Sequence, residues 1–316
     1  MKPSKTFNLR FMKPSIIKGV GLLSFSLLGT VLMSALSKML TSGQIFTPIE
    51  VVFWQTTVAL PLVSIVIYIT GGVNRFKTKR FKAQMGRAIP GNCGFLMMYS
   101  AYALMPMADV ATLLFTGGLM TTFLSALWLK ERVGFYRWLA VIIGFIGAAI
   151  AAAPSGDDWQ FRGIIYALIA AFIGGGVVNI MLRKLGTTEH AMTTTFYTLV
   201  CGLLMTAPYT ILYGRLPEAS IMAILAICGF ASAVILIAKT QAFRYAEASL
   251  LSPVQYTMII WAALAGWFIW QDIPTTNVIV GASIIIIANI VILIRENQKA
   301  KIKTTALPKT YSDPMA

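Results

Sequence analysis

The chain has 316 residues, 57% of them hydrophobic and only 12% charged, with a mean hydropathy of +0.76. Soluble domains carry roughly 25% charged residues, so this composition excludes a soluble enzyme, a secreted disulfide scaffold and a disordered tail protein. Lysine and arginine number 26 against 11 acids, a net charge of +15; because the basic stretches lie between long apolar runs, they point to a membrane before they point to nucleic acid.

A bilayer core needs about 20 consecutive apolar residues per helix. Ten such spans are predicted in chain order: 17–37, 48–70, 86–105, 109–129, 134–153, 161–182, 191–213, 218–238, 248–270 and 276–294. The first follows basic residues, as a signal peptide would. It is too long for a signal core and lacks a small-residue cleavage site, so it reads as a retained helix. The fold class is therefore an all-α integral membrane protein with ten transmembrane helices.

Charge placement sets the orientation. With the N-terminus in the cytoplasm, the inner side holds five Lys or Arg up to Lys18, six from Arg75 to Arg87 and three from Lys130 to Arg137. Arg183, Lys184, Lys239, Arg244 and five from Arg295 onward bring the inner total to 23, against Lys38, Arg162 and Arg215 outside. This is the asymmetry of the positive-inside rule. Both termini are expected in the cytoplasm, with tails over 1–16 and 296–316. The basic loop from Arg75 to Lys82 reads as an orientation signal and lipid-headgroup contact rather than a nucleic-acid patch. Cys93, Cys201 and Cys228 fall inside apolar spans without metal-type spacing and read as small buried hydrophobes.

An internal repeat is present. Ala101-Tyr-Ala-Leu-Met-Pro-Met-Ala-Asp109, running on to Glu131, compares with Ala242-Phe-Arg-Tyr-Ala-Glu-Ala-Ser249, running on to Asp272, at an offset of 141 residues. A weaker match pairs Gly21…Leu40 with Gly163…Leu182 at 142. Five helices per copy is an odd number, so the second copy enters the membrane from the opposite side, with Glu131 inside and Asp272 outside. Two inverted five-helix repeats are the architecture that lets one site face either side in turn.

Each half resembles the drug/metabolite transporter superfamily, specifically its EamA family of ten-helix transporters. The resemblance is carried by Leu104-Met-Pro-Met-Ala-Asp-Val-Ala-Thr112 through Leu127-Trp-Leu-Lys-Glu-Arg132, by Arg137–Gly147 and by Pro154-Ser-Gly156. In the second half it is carried by Ala248–Thr257 through Gly266–Asp272. It implies one EamA repeat over 17–153 and a second over 161–295. Within the family the chain is similar to the group labelled S-adenosylmethionine uptake transporters, whose relatives move amino acids, riboflavin and other metabolites. Two departures stand out. Gln55 replaces a basic residue common in the second span, and Gly117-Gly118 replaces the proline usual in the fourth, while its counterpart Pro253 is kept.

Polar groups inside hydrocarbon are costly and point to function or to pairing. The expected cavity lining is Trp54, Gln55, Tyr99, Tyr102, Asn179, Gln255 and Tyr256, whose amides and flat rings suit an aromatic, sulfonium or amino-bearing ligand. The alternative for each is interhelical hydrogen bonding or interfacial anchoring. Gly117, Gly118, Gly174, Gly175, Gly176 and Pro253 are hinge candidates, with tight helix packing as the alternative. Asp109 reads as the N-cap of span 4 and Glu50 as a first-turn acid of span 2; these two are also the candidates for coupling a proton. Lys38 is placed to pair with Glu50 or to meet an anionic substrate group. Lys239 and Arg244 read as cytoplasmic-edge residues.

No Gly-x4-Gly-Lys-Ser/Thr loop is present, and His190 is a lone histidine, so neither ATP hydrolysis nor histidine-based catalysis is expected. No cofactor and no metal are called for. The expected function is a secondary transporter moving a small organic metabolite across a bacterial inner membrane by alternating access. S-adenosylmethionine or another amino-acid-like or aromatic compound is the candidate cargo, with protons as candidate coupling ion. Membrane lipids are the other expected partners; a homodimer is compatible with this reading, and import or export is open. The alternatives are a non-transporting membrane partner subunit and an integral-membrane enzyme acting on lipid substrates.

Overall fold

The computed structural model describes residues 14–43, 45–130, 133–153, 158–185, 191–245 and 254–305. Among these the chain forms ten helical rods and no strand. They are α1 (Pro14–Ser42), α2 (Pro48–Gly71), α3 (Phe81–Leu104), a fourth rod of α4 (Met107–Leu114) and α5 (Thr116–Trp128), then α6 (Phe135–Ala151). The second set is a composite rod of α7 (Asp158–Ala170), a π-helical stretch over Ala171–Val177 and α8 (Val178–Leu185), followed by α9 (Ala191–Tyr213), α10 (Ala219–Tyr245), α11 (Thr257–Trp270) and α12 (Thr276–Thr305). Six of the helices are long and apolar enough to cross a membrane, and three shorter apolar ones lie over Phe135–Ala151, Thr257–Trp270 and Thr276–Ile292.

Local chemistry explains the ends and breaks. Helix α2 begins with a capping box: Thr47 accepts from the Glu50 amide, the Glu50 side chain accepts from the Thr47 amide, and Pro48 occupies the first turn, where its missing N–H costs nothing. The fourth rod bends at Phe115, which caps α4 and opens α5 with φ −68° and ψ −14°. Tyr256, one repeat offset later, shows the matching φ −67° and ψ −19° at the start of α11. Helices α1 and α10 run on past their predicted limits at 37 and 238, to Ser42 and Tyr245. The α1 continuation carries Lys38 and Thr41, both buried.

Helices of the first five pack on helices of the second. The main pairs are α6 with α12, α1 with α10, α2 with α9, α3 with α7, α10 with α2, α3 with α9, α5 with the π stretch, α4 with α11 and α1 with α11. Swapping each rod for the one five places along returns the same set of pairs. Helices α4 and α11 run antiparallel, since Met107 lies by Gly266 while Phe115 stacks on Tyr256 at 5.3 Å. Helices α6 and α12 do likewise, with Gly147 against Gly281 and Ala140 and Val141 clustered with Ala288 and Ile292. The largest buried apolar cluster joins α3, α4, α7 and α11 around Tyr99, Tyr102, Met107 and Ala262.

Candidate substrate cavity

A cavity of about 250 Å³ lies among α1, α2 and α3 of the first five rods and α9 and α10 of the second. Its walls are mostly apolar, from Val52, Phe95, Met98, Leu199 and Ile235, with hydroxyls from Thr30, Ser34, Thr56, Thr195 and Ser232. That mix, apolar walls with a few placed polar groups, is the usual make-up of a small-molecule site.

At one end Gln55 and Tyr99 meet. Gln55 is 6% exposed, its Oε1 accepts from the Tyr99 hydroxyl at 3.0 Å, and its buried Nε2 finds only the weak sulfur acceptor of Cys228 among the described residues. A buried donor left unmade costs about 1–3 kcal/mol, so this amide is poised for an acceptor. At the other end stand Arg87 of α3 and Lys239 of α10. The Arg87 guanidinium donates to Thr198 Oγ1, while its Nε is buried without a partner. Asn92 holds the neighbouring turn by donating to the carbonyls of Ala88 at 2.9 Å and Thr198 at 3.0 Å.

Of the seven residues expected to line a cavity, Gln55 and Tyr99 line this one. Tyr102, one turn below Tyr99, is fully buried in the core, its hydroxyl turned toward Ser34. Trp54, about 100° round the helix from Gln55, packs with Leu40, Phe46, Val51 and Leu225. Asn179 donates to Thr121 Oγ1 at 3.2 Å and belongs to the seam between α5 and the composite rod. Gln255 is half-buried at the start of α11, beside Tyr256 on Phe115. Pro253 lies outside the described residues.

The hinge candidates are contacts in this conformation. A Cβ on Gly175 would overlap the Gly117 backbone, and one on Gly176 would meet Leu124 and Met120. Gly118 faces Asn289, while Gly174 has open space beside it. Thr121 binds across the seam to the Gly175 carbonyl and along its own helix to the Gly117 carbonyl.

The acids also take definite places. Asp109 is not the N-cap of its helix: Pro106 holds that position and Asp109 sits in the first turn, buried, within electrostatic reach of Asp272 and Lys38. Lys38 pairs with neither Glu50 nor a free site. It donates to Asp272 Oδ2 at 3.3 Å and lies 4.6 Å from the centre of the Trp270 ring. Glu50 accepts from the Thr47 amide at 2.7 Å, the Thr47 hydroxyl at 2.8 Å and the Arg215 amide at 2.8 Å. Arg87 and Lys239 line the cavity, and Lys239, expected at the cytoplasmic edge, is exposed. The signal for Arg87 was its position inside predicted span 86–105, because an ionisable residue within a span is a site candidate by default.

The profile of the EamA-like transporter family matches residues 17–153 and 161–294. The chain belongs to that family. An S-adenosylmethionine uptake transporter of Rickettsia bellii is 26% identical over 89% of this chain and 94% of its own. A riboflavin transporter of Vibrio cholerae is 29% identical over 78% of this chain and 85% of its own. A pseudopaline exporter of Pseudomonas aeruginosa is 22% identical over 76% and 84%. A protein of known crystal structure shares the fold with a TM-score of 0.58 at 16% identity, over 87% of this chain and 98% of that one. This EamA-like chain is an integral membrane transporter, not an enzyme.

Proposed function

We propose that the protein is a secondary carrier that moves a small organic metabolite across a bacterial inner membrane by alternating access, with both termini in the cytoplasm. The observation that carries this reading is the cavity itself, bounded by three helices of one five-helix half and two of the other. A site between halves can change its exposure when they rock against each other. The antiparallel pairing of α4 with α11 and of α6 with α12 supports two inverted repeats. So does the matching backbone of Phe115 and Tyr256 at the repeat offset.

The Lys38–Asp272 pair ties α1 to the end of α11 on the side assigned to the exterior. The cavity extends toward the opposite side, where Arg87 and Lys239 lie. Asp109 is the better proton-coupling residue, because all the donors that hold Glu50 serve to cap α2 and anchor Arg215. The relatives' cargoes make S-adenosylmethionine, riboflavin or another amino-acid-like or aromatic metabolite the starting panel.

The test is uptake into proteoliposomes with labelled S-adenosylmethionine, riboflavin and mixed amino acids, with and without a pH gradient. Saturable flux that depends on the gradient is expected. Flux absent in both directions for the panel and for total metabolite extract would overturn the carrier reading in favour of a partner subunit.

A further inference from the structure

Arg87 and Lys239 stand together in the cavity, and among the described residues no Asp or Glu lines it. Like charges without a counter-ion repel and lose hydration, a cost that in proteins is normally met by pairing. Here one partner of Arg87 is the neutral hydroxyl of Thr198, its Nε is buried and unpartnered, and Lys239 remains exposed within the cavity wall. At the far end the Gln55 Nε2 is a second buried donor, with only the weak sulfur acceptor of Cys228 beside it. The polar ends of the site are thus dominated by donors, and between them Phe95, Met98 and Tyr99 offer apolar and aromatic faces.

We propose that the cavity takes an organic anion. Its carboxylate or phosphate lies between Arg87 and Lys239, its uncharged part packs against Phe95, Met98 and Tyr99, and a carbonyl or hydroxyl at its other end accepts from Gln55. The proposal rests on the carrier reading for its biological meaning and narrows the cargo panel. A guanidinium and an ammonium converging on one oxyacid give charge-assisted hydrogen bonds, about twice as strong as neutral ones. S-adenosylmethionine carries an ammonium and a sulfonium beside its single carboxylate, and the lining offers those cations no acid to pair with. Anionic cargo fits this chain better.

The test uses the full chain in nanodiscs of phosphatidylcholine, read by calorimetry. The probes are 3-phenylpropionate and phenyl phosphate, with 3-phenylpropanamide and 3-phenylpropylamine as neutral and cationic matches. At least one acid is expected to bind saturably, with the amide and the amine at least about tenfold weaker. Lys239→Gln, which keeps a polar side chain at an exposed position, is expected to weaken the acid by about tenfold and leave the amide unchanged. Arg87→Gln is expected to do the same where it folds.

Equal binding of acid and amide would overturn the proposal. So would unchanged acid affinity in Lys239→Gln, or failure of both acids to saturate. Stabilisation by phosphatidylglycerol that neither acid competes with would assign the pair to lipid headgroups and also overturn it. Binding is measured apart from flux, so acid binding without any flux would defeat the carrier reading and leave this inference standing.

Discussion

Two mid-span regions of the molecule are built from the same kinds of residue and end differently. Between α5 and the composite rod, Gly117, Gly175, Thr121 and Asn179 form a seam in which backbone touches backbone and Thr121 and Asn179 find partners inside the protein. Among α1, α2, α3, α9 and α10, Gln55, Tyr99, Arg87 and Lys239 surround a cavity and keep donors unmatched. Polarity within a span does not by itself mark a site. What separates the two regions is whether the hydrogen-bonding capacity closes on the protein.

The largest expected effect is in the seam. Gly175→Val places a side chain into the Gly117 backbone, which cannot yield as a flexible side chain could. Overpacking of this kind costs about 3 kcal/mol, and melting in nanodiscs should fall accordingly. Its neighbour Gly174 has open space around a new Cβ, so Gly174→Ala should be neutral or slightly stabilising, as glycine is a poor helix former by about 1 kcal/mol. Equal tolerance at both positions would break the contrast between seam and cavity.

Next come the cavity residues. Gln55→Ala and Tyr99→Ala should each lower saturable flux about tenfold or more, the effect of losing roughly 1.4 kcal/mol of substrate contact. Membrane insertion should be intact. Tyr99→Phe sharpens the test by removing the hydroxyl that donates to Gln55 while keeping the ring. A smaller effect is expected for Asp109→Asn, which should abolish the gradient-driven component of uptake and leave downhill exchange. Retained pH drive would return Asp109 to a first-turn helix acid.

Much of this was legible in the sequence, and the residues that were not share a cause. Span 191–213 and helix α9 end together at Tyr213, because the apolar run gives way there to Gly214-Arg215-Leu216-Pro217-Glu218. Predicted span 218–238 stops one residue short of Lys239, which the charge count places on the inner side; α10 continues to Tyr245, and Lys239 lines the cavity. Arg87 was counted the same way. A rule that uses Lys and Arg to mark the membrane boundary assigns every cation to a loop or an edge, and so hides the cations that a buried site needs.

The bend at Phe115 was also missed, since neither Gly nor Pro occupies position 115. It is visible only through the matching conformation of Tyr256, one repeat later. Trp54 and Gln55 were grouped as one feature, but adjacent residues on a helix face different neighbours. That geometry gives Trp54 to the packing around Leu225 and leaves Gln55 in the cavity.

The smallest effect should come from Asn179, and it bears most directly on the contrast. The residue was expected in the substrate path, and its amide instead donates to Thr121 Oγ1 at 3.2 Å within the seam. Asn179→Ala removes one interhelical hydrogen bond without opening a route to the cavity. Such bonds between membrane helices contribute about 0.6 kcal/mol on average, so a small drop in melting temperature with unchanged flux and unchanged apparent affinity is expected. Thr121→Val should cost more than Asn179→Ala, because its hydroxyl also donates to the Gly117 and Gly175 carbonyls, while the double variant should cost little more than Thr121→Val alone. A loss of flux in Asn179→Ala at normal stability would mean that the seam opens during the transport cycle, and its glycines would then be moving contacts rather than fixed ones.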